Sequence, residues 1–211
     1  FRARIAGEPD GRSVSLAEIA SVVIEASDAD VVSVEATFEA EHMTYPYGAH
    51  LVVVAIDPET AGVTGERYVV AFDVGRAVNP MLIEGQIAGG VAQGIGGALH
   101  EEFVYDAAGQ PLAANFVDYL IPGVMELTTV ESLISEDAPS GTNPLGLKGA
   151  GESGINASGA AIAAAIDQAI GRPGAITRLP ITPARLHAIL RSEHPAGFLE
   201  LNGGIPGVPF D

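Results

Sequence analysis

Apolar and polar positions along the first third of the chain predict a helix followed by the strands of a sheet. A capping-box pattern opens a helix over residues 15 to about 27, with apolar side chains at helical spacing. Residues 32–39 alternate between apolar and polar side chains, which is typical of a half-buried strand. An apolar strand at 51–56 and another across 66–73 flank a turn at 57–62. These two strands predict an antiparallel hairpin.

The rest of the chain is predicted to be mostly helical, with polar loops between the helices. The expected elements are, in order, a polar elbow at 73–80, a glycine-rich helix at about 81–100, a hairpin around 106–109, a long loop at 135–151, an alanine-rich helix at about 155–170 and a last helix from Thr182-Pro183 to about 191. Antiparallel strands with segregated helices predict an α+β fold, in which helices pack on antiparallel or mixed sheets.

Composition and charge exclude several classes of protein. The 211 residues include no cysteine, which excludes disulfides, cysteine-ligated iron–sulfur or zinc sites and thiol catalysis within this sequence. A formal net charge of −17 argues against a nucleic-acid partner. No apolar run reaches the roughly 18 residues of a membrane span, so we expect a cytoplasmic protein. The sequence opens without an initiating methionine or a signal peptide, which predicts a fragment or a processed chain.

The most informative stretch for chemistry is 143–154, which contains the only lysine of the chain, Lys148. Residues 149–154 match the dinucleotide-binding pattern G-x-G-x-x-G, but a proline-rich loop precedes them instead of a strand, so we reject a Rossmann site. Free backbone N–H groups at a helix N-terminus nevertheless suit an anion. Glu152, between glycines, could reach a ligand; the alternative is an acid in the first turn of a helix, favoured there by the helix dipole.

A second unusual stretch is 85–97, with six glycines in 13 residues. Each interior glycine costs a helix roughly 1 kcal/mol relative to alanine, so a compensating role is expected. Two interpretations remain open. The glycines permit close helix packing, or they let backbone approach a flat polar ligand to which Gln86 or Gln93 donates a hydrogen bond.

Other candidate residues carry weaker signals. Ser153 lacks a His/Asp partner pattern and a nucleophile elbow, so we do not expect serine catalysis. The histidines show no metal-ligand spacing, so we expect surface or hydrogen-bonded core residues and no metal ligand at His42, His50, His100, His187 and His194.

Seven motifs occur in order between residues 14 and 191. They are 14–20, 44–50, 73–76 with 79–80, 85–86 with 92–94, 117–119, 143–146 and 148–152. Together they resemble the C-terminal part of the large, molybdopterin-binding subunit of the xanthine dehydrogenase/aldehyde oxidase family, especially its aerobic carbon monoxide dehydrogenase-like branch. The resemblance implies that residues 1–194 belong to the molybdopterin-binding domain, with a division into subdomains near 75–100 as an option, and that 195–211 form an irregular tail.

The resemblance also implies roles for particular residues. Glu152 corresponds to the active-site glutamate of the family, which acts as a base on a molybdenum-bound hydroxide. The cofactor is molybdopterin with molybdenum, in bacterial members usually as the cytosine dinucleotide. The residues that would contact it are Ala92, Gln93, Gly94, Lys148, Gly149, Ala150 and Gly151.

The expected partners follow from the same resemblance. The N-terminal half of the large subunit would supply the other cofactor loops and most of the substrate pocket, so we expect the chain alone to be inactive. Electrons would leave through a [2Fe–2S] subunit and an FAD subunit. Oxidation of an aldehyde or N-heteroaromatic small molecule is favoured over carbon monoxide oxidation, because many carbon monoxide dehydrogenase-like sequences lack the loop with the copper-binding cysteine, which lies in the N-terminal half of the large subunit. A non-catalytic assembly or binding module is the alternative from another functional class.

Overall fold

The computed structural model describes residues 2–4, 13–27, 35–39 and 42–192. The chain divides into two compact units, residues 1–40 and residues 41–211. The predicted tail at 195–211 lies outside the described residues. Within the described ranges, no helix combines the length and apolarity needed to cross a membrane.

The first unit contains a short antiparallel strand pair and one helix. Strands β1 (Arg2–Arg4) and β2 (Ser13–Ser15) pair with each other, and helix α1 (Leu16–Ser27) follows directly. The capping box is confirmed: the backbone N–H of Ser15 donates to Glu18 Oε2 at 2.7 Å, and the N–H of Glu18 donates to Ser15 Oγ at 3.2 Å. These bonds satisfy N–H groups that a helix start leaves free.

The strand predicted at 32–39 is wrong in its described part. Residues 35–39 have no regular secondary structure and are exposed, whereas 32–34 lie outside the described residues. An alternating pattern forms a strand only where another strand offers its backbone groups, and 35–39 take no place in the sheets.

The second unit is built on a three-stranded mixed sheet in the order β3-β4-β5. Strand β3 (Tyr47–Ile56) and strand β4 (Val63–Asp73) form the predicted antiparallel hairpin and are longer than expected. Strand β5 (Val130–Ser135), which the sequence did not indicate, pairs in parallel with β4. The parallel pairing places Asp73 and Ser135 side by side at one edge of the sheet.

Three helices of the second unit agree with the sequence patterns. They are α2 (Pro80–Ile95), which continues as a π-helical turn at Gly96–His100, α3 (Ser158–Ala169) and α4 (Pro183–Arg191). The side chains of Asn79 and Thr182 cap α2 and α4. The hairpin expected around 106–109 is reduced to a turn with a single antiparallel bridge, Tyr105 to Pro111.

The core of the second unit lies between one face of the sheet and the helices. Alternate residues of β4 point into it, and α2, α3 and α4 cover them. Buried members are Tyr68, Val70, Phe72, Ile87, Val91, Ile162, Ile166 and Leu186. Elements before and after residues 75–100 therefore share one core, and a division into subdomains there stays a prediction.

Candidate active site

Glu152 lies in a run of turns between β5 and α3, and its side chain is exposed. Its carboxylate has no hydrogen bond or ion pair with any residue in the described part of the chain. Helix α3 begins only at Ser158 and has no acidic residue in its first turn. The alternative that Glu152 is a helix-start acid is therefore wrong.

The backbone beside Glu152 is open to the outside. Nothing lies within 4 Å of the position that a Cβ atom would take at Gly151, and at Gly149 the nearest atom, Pro46 Cγ, is 4.0 Å away. The backbone N–H groups of residues 149–152 have no acceptor among the residues the structure describes. Backbone N–H groups are strong donors that rarely stay unpaired when buried, so this run is suited to an external acceptor.

Lys148, predicted to contact the cofactor, has an internal partner. Its Nζ donates to Asp73 Oδ1 at 2.9 Å, and the two side chains are only 8% and 2% exposed. The ammonium also lies 4.7 Å from the ring centroid of Tyr47. The backbone N–H of Lys148 donates to the carbonyl of Val74, so both backbone and side chain fasten this loop to the end of β4.

Asp73 accepts several of the hydrogen bonds that hold this loop in place. Besides Lys148, it accepts hydrogen bonds from the backbone N–H groups of Gly75 at 2.9 Å and Ala138 at 3.0 Å. Burial alone raises the pKa of Asp73, but the hydrogen bond from Lys148, the two backbone donors and the lysine charge outweigh it and lower the pKa to about 2. The carboxylate is therefore ionised at neutral pH. Sequence reasoning gave Asp73 no role, because its partner lies 75 residues away along the chain.

The loop before Lys148 folds onto the polar elbow. Asn143 holds it through paired bonds with the backbone of Leu147, one donated by Nδ2 and one accepted by Oδ1, both at 2.9 Å. Gly75 has a φ of +70°, and a Cβ atom there would lie 2.2 Å from the carbonyl oxygen of Gly146. Only glycine fits this left-handed position under the loop.

His50, at the start of β3, contacts the other side of the Glu152 turn. Its Nε2 lies 2.8 Å from the carbonyl oxygen of Ser153, and its Nδ1 lies 3.0 Å from the Tyr68 hydroxyl. That hydroxyl donates to Ser158 Oγ at 2.9 Å, and Ser158 donates to the carbonyl of Gly154 at 2.6 Å. His50 is thus the hydrogen-bonded histidine that the sequence suggested. Burial raises the pKa of Tyr68, while the bond to Ser158 lowers it.

Ser153 itself is buried, and its hydroxyl donates to the carbonyl of Ala150 at 2.7 Å. This hydroxyl is therefore bonded within the turn, and the expectation that it is not a nucleophile stays a prediction.

The glycine-rich helix α2 confirms close packing on one face, while approach to a ligand on the other face stays a prediction. Gly90 packs against Gly154, and a Cβ atom at Gly94 would lie 2.3 Å from Ser158 Cβ, so this face exists for close packing. Gly85 and Gly89 have nothing within 4 Å of a Cβ position, and Gln93 is exposed.

The predicted cofactor residues fall on two adjoining segments. The packing of α2 on residues 154–158 brings the helix segment with Ala92, Gln93 and Gly94 against the run of turns that carries Glu152. Gly94 itself is buried in this packing, while Ala92 is half-buried. Cofactor contact by these residues stays a prediction.

Comparison with known proteins identifies the family. A model of the molybdopterin cofactor-binding domain matches residues 2–128. The chain is 45% identical over 160 residues to the gamma subunit of the 6-hydroxypseudooxynicotine dehydrogenase complex of Paenarthrobacter nicotinovorans, covering 76% of this chain and 20% of that protein. The chain thus spans about a fifth of the length of this relative.

Two solved structures share the fold. Carbon monoxide dehydrogenase from Oligotropha carboxidovorans superposes with a TM-score of 0.76 at 28% identity, covering 89% of this chain and 24% of that one. Quinoline 2-oxidoreductase from Pseudomonas putida 86 gives 0.64 at 36% identity, covering 68% and 18%. The chain therefore belongs to the molybdopterin cofactor-binding domain family, as part of a large subunit of the kind found in xanthine and carbon monoxide dehydrogenases.

Proposed function

We propose that this chain is part of a molybdenum hydroxylase that oxidises an aldehyde or an N-heteroaromatic compound with oxygen derived from water. The observation that carries the proposal is the Glu152 turn: an exposed carboxylate beside the backbone N–H groups of 149–152, all of them without a partner among the residues that the structure describes. An exposed acid without a catalytic role needs no run of free backbone donors and glycines beside it. A general base next to a bound cofactor does need such a run, because the cofactor must be held close to the base.

The residues present fit a molybdopterin cofactor. The open N–H groups of 149–152 offer donors to its polar edge or phosphates, and the absence of side chains at Gly149 and Gly151 leaves room for close approach. Gln93 offers an amide from the adjoining helix. When bound, the cofactor accepts the two electrons that leave the substrate. We propose that the cofactor is present in its cytosine dinucleotide form.

Glu152 acts as the general base. Conversion of a C–H bond and water into a C–OH group releases two electrons and two protons. The Glu152 carboxylate takes one proton from the water-derived oxygen as that oxygen bonds to the substrate carbon. Attack by oxygen on carbon requires an electron-poor centre, as in an aldehyde carbonyl or a carbon next to a ring nitrogen.

The substrate class is supported by the relatives. One similar structure is named for quinoline, an N-heteroaromatic compound, and the relative with 45% identity is named for 6-hydroxypseudooxynicotine. That relative is a subunit of a complex. We accordingly propose the rest of the large subunit, an iron–sulfur subunit and an FAD subunit as partners, in the cytoplasm, and no activity for this chain alone.

Carbon monoxide oxidation is the second candidate, because the carbon monoxide dehydrogenase fold covers 89% of this chain. Molybdenum and copper analysis of the complex separates the two. Molybdenum without copper supports hydroxylation, whereas one copper for each molybdenum supports carbon monoxide oxidation. A non-catalytic module is the third candidate, and a complete complex without molybdenum would favour it.

The substitution Glu152→Gln tests the base directly. In the full complex we expect turnover to fall by about 100-fold or more, the usual contribution of a general base, with molybdenum content unchanged. Glu59→Gln, in the exposed turn between β3 and β4, is the matched control and should retain wild-type turnover. Near-normal turnover of a molybdenum-replete Glu152→Gln complex would refute the assignment.

A further inference from the structure

We propose that His50 is a positioning residue for Glu152, which it orients through the carbonyl group of Ser153. This inference rests on the proposed role of Glu152 as the base. No contact joins His50 to the Glu152 side chain within the described residues. His50 therefore acts through the backbone of the turn, and it is not itself a catalytic residue.

The need for an external anchor follows from the turn itself. The Glu152 side chain makes no hydrogen bond or ion pair within the described residues, and Gly149 and Gly151 before it allow the backbone wide freedom. The backbone-to-backbone bonds of the turn are long: Ser153 N–H to Ala150 O is 3.3 Å, and Ile155 N–H to Glu152 O is 3.2 Å. These are at the weak end of backbone hydrogen bonds. A short bond inside the turn, from the Ser153 hydroxyl to Ala150 O at 2.7 Å, does not join the turn to the sheet.

The contact from His50 is shorter and comes from a rigid element. Its Nε2 lies 2.8 Å from the Ser153 carbonyl oxygen, and since a carbonyl can only accept, Nε2 carries the hydrogen. The backbone of His50 is fixed in the sheet opposite Val70 of β4. The bond therefore ties the peptide group between Ser153 and Gly154, one residue beyond Glu152, to the sheet.

The imidazole ring is itself held in place. Tyr68, which is 1% exposed, lies edge-to-face against the ring with centroids 5.8 Å apart, and its hydroxyl contacts Nδ1 at 3.0 Å. The same hydroxyl donates to Ser158, whose Oγ donates to the Gly154 carbonyl. Two successive carbonyls of the turn, those of Ser153 and Gly154, are thus held by one network. These linked contacts connect the turn to the ring and the ring to the sheet.

The test compares His50→Leu, which removes both ring nitrogens, with His50→Gln, whose amide can still donate to the Ser153 carbonyl. In the full complex we expect His50→Leu to lower kcat by roughly 10- to 100-fold, the cost of a misplaced catalytic group, with KM and molybdenum content little changed. Hydrogen exchange of the backbone amides of 153–158 should become faster. His50→Gln should recover most of the kcat and of the exchange protection.

The control is His42→Leu, since His42 is exposed and should leave both readouts unchanged. If His50→Leu behaves like His42→Leu in exchange and in kcat, the proposal is refuted. If His50→Leu does not assemble, Tyr68→Phe, which removes only the hydroxyl, replaces it: faster exchange at 153–158 supports the network, and unchanged exchange refutes it.

A double variant separates this proposal from the proposed function. If His50 works through Glu152, adding His50→Leu to Glu152→Gln should cost little further kcat while still accelerating exchange. If Glu152→Gln alone retains turnover but His50→Leu accelerates exchange, the base assignment fails and only the anchoring is retained. If Glu152→Gln abolishes turnover and the turn stays protected in His50→Leu, the base is retained and the positioning role of His50 is refuted.

Discussion

Asp73 and Lys148 form a buried charge pair whose value depends on both members. The pair joins residues far apart in sequence, and the Lys148 side chain is 8% exposed and the Asp73 side chain 2%. Removing one partner of a buried pair leaves an uncompensated charge in the interior, which is far more costly than removing both. The single lysine of the chain therefore holds the 148–154 loop on the end of β4. Its predicted contact with the cofactor remains a proposal.

Asp73→Asn should destabilise the large subunit by about 3 kcal/mol or more, because Lys148 loses its counter-charge. The double variant Asp73→Asn with Lys148→Met should recover a substantial part of that loss. Thermal midpoints of the wild type, the two single variants Asp73→Asn and Lys148→Met, and the double variant measure this. A double variant as unstable as the sum of the single variants would contradict a coupled pair.

The carboxylate of Asp73 also makes the stability of the fold depend on pH, in a direction that can be predicted. Its folded pKa is about 2, below the ordinary 3.8, so its contribution to stability is fully present above about pH 4 and is lost as the pH falls through 2. The double variant lacks this group, so its stability should fall less steeply over that window. Thermal midpoints measured at decreasing pH compare the wild type with the double variant. Parallel slopes of thermal midpoint against pH would argue against the lowered pKa of Asp73.

Residues with chemical signals in the local sequence were predictable, whereas their partners were not. Glu152 and Lys148 stand out because one lies between glycines and the other is the only lysine. Asp73 and His50 became significant only when folding placed them beside the 148–154 loop. Contacts over such separations leave no pattern in the spacing of residues, so sequence reasoning had no means of assigning them.

At the scale of elements, the packing of α2 against α3 depends on the absence of side chains. A Cβ atom at Gly94 would lie 2.3 Å from Ser158 Cβ, much closer than any real contact. Gly89, on the same helix, has open space around it. The two positions differ in surroundings but not in helical conformation.

Alanine substitution should therefore shift stability in opposite directions at these two glycines. Gly94→Ala should destabilise by about 1–3 kcal/mol, because the helices must separate to admit a methyl group. Gly89→Ala should stabilise by up to about 1 kcal/mol through better helix propensity. Thermal midpoints measure both changes in stability. If Gly94→Ala and Gly89→Ala shift the thermal midpoint equally and in the same direction, helix propensity alone determines the effect.

Elements with local start signals were predicted well. The capping box of α1 and the Thr182 cap of α4 are bonds within one turn of chain, so they can be inferred without knowing the fold. Strand β5 was missed because its pairing partner lies far back in the sequence. The alternation at 35–39 misled because no partner strand exists for it in the described sheets.

At the scale of the molecule, the second unit exposes much apolar surface. The segment 103–127, between the π-helical turn and β5, leaves Phe116, Val117, Val124 and Met125 between 82% and 87% exposed. The sheet face turned away from the core also exposes apolar side chains, among them Leu51 and Leu133. Monomeric proteins seldom leave such surfaces uncovered, so we expect the remainder of the large subunit to cover them.

This surface predicts different behaviour of the isolated chain and of the complex. The isolated chain should self-associate and bind a hydrophobic dye, despite its net charge of −17. Replacing Phe116 and Met125 by serine should lower dye binding in the isolated chain and reduce recovery of the assembled complex. A monomeric wild-type chain that binds no dye would show that this surface is not an interface.

The parallel pairing of β4 with β5 has a consequence for the order of folding. The β3–β4 hairpin joins neighbouring segments, whereas β5 must find β4 across residues 74–129. Closing a loop of that length costs chain entropy before any contact compensates it, so this step is slow compared with hairpin formation. Lys148 and Ser153 must close still longer loops, over 75 and 103 residues, to reach Asp73 and His50. The loop that carries Glu152 is thus completed late, on a hairpin that is already in place.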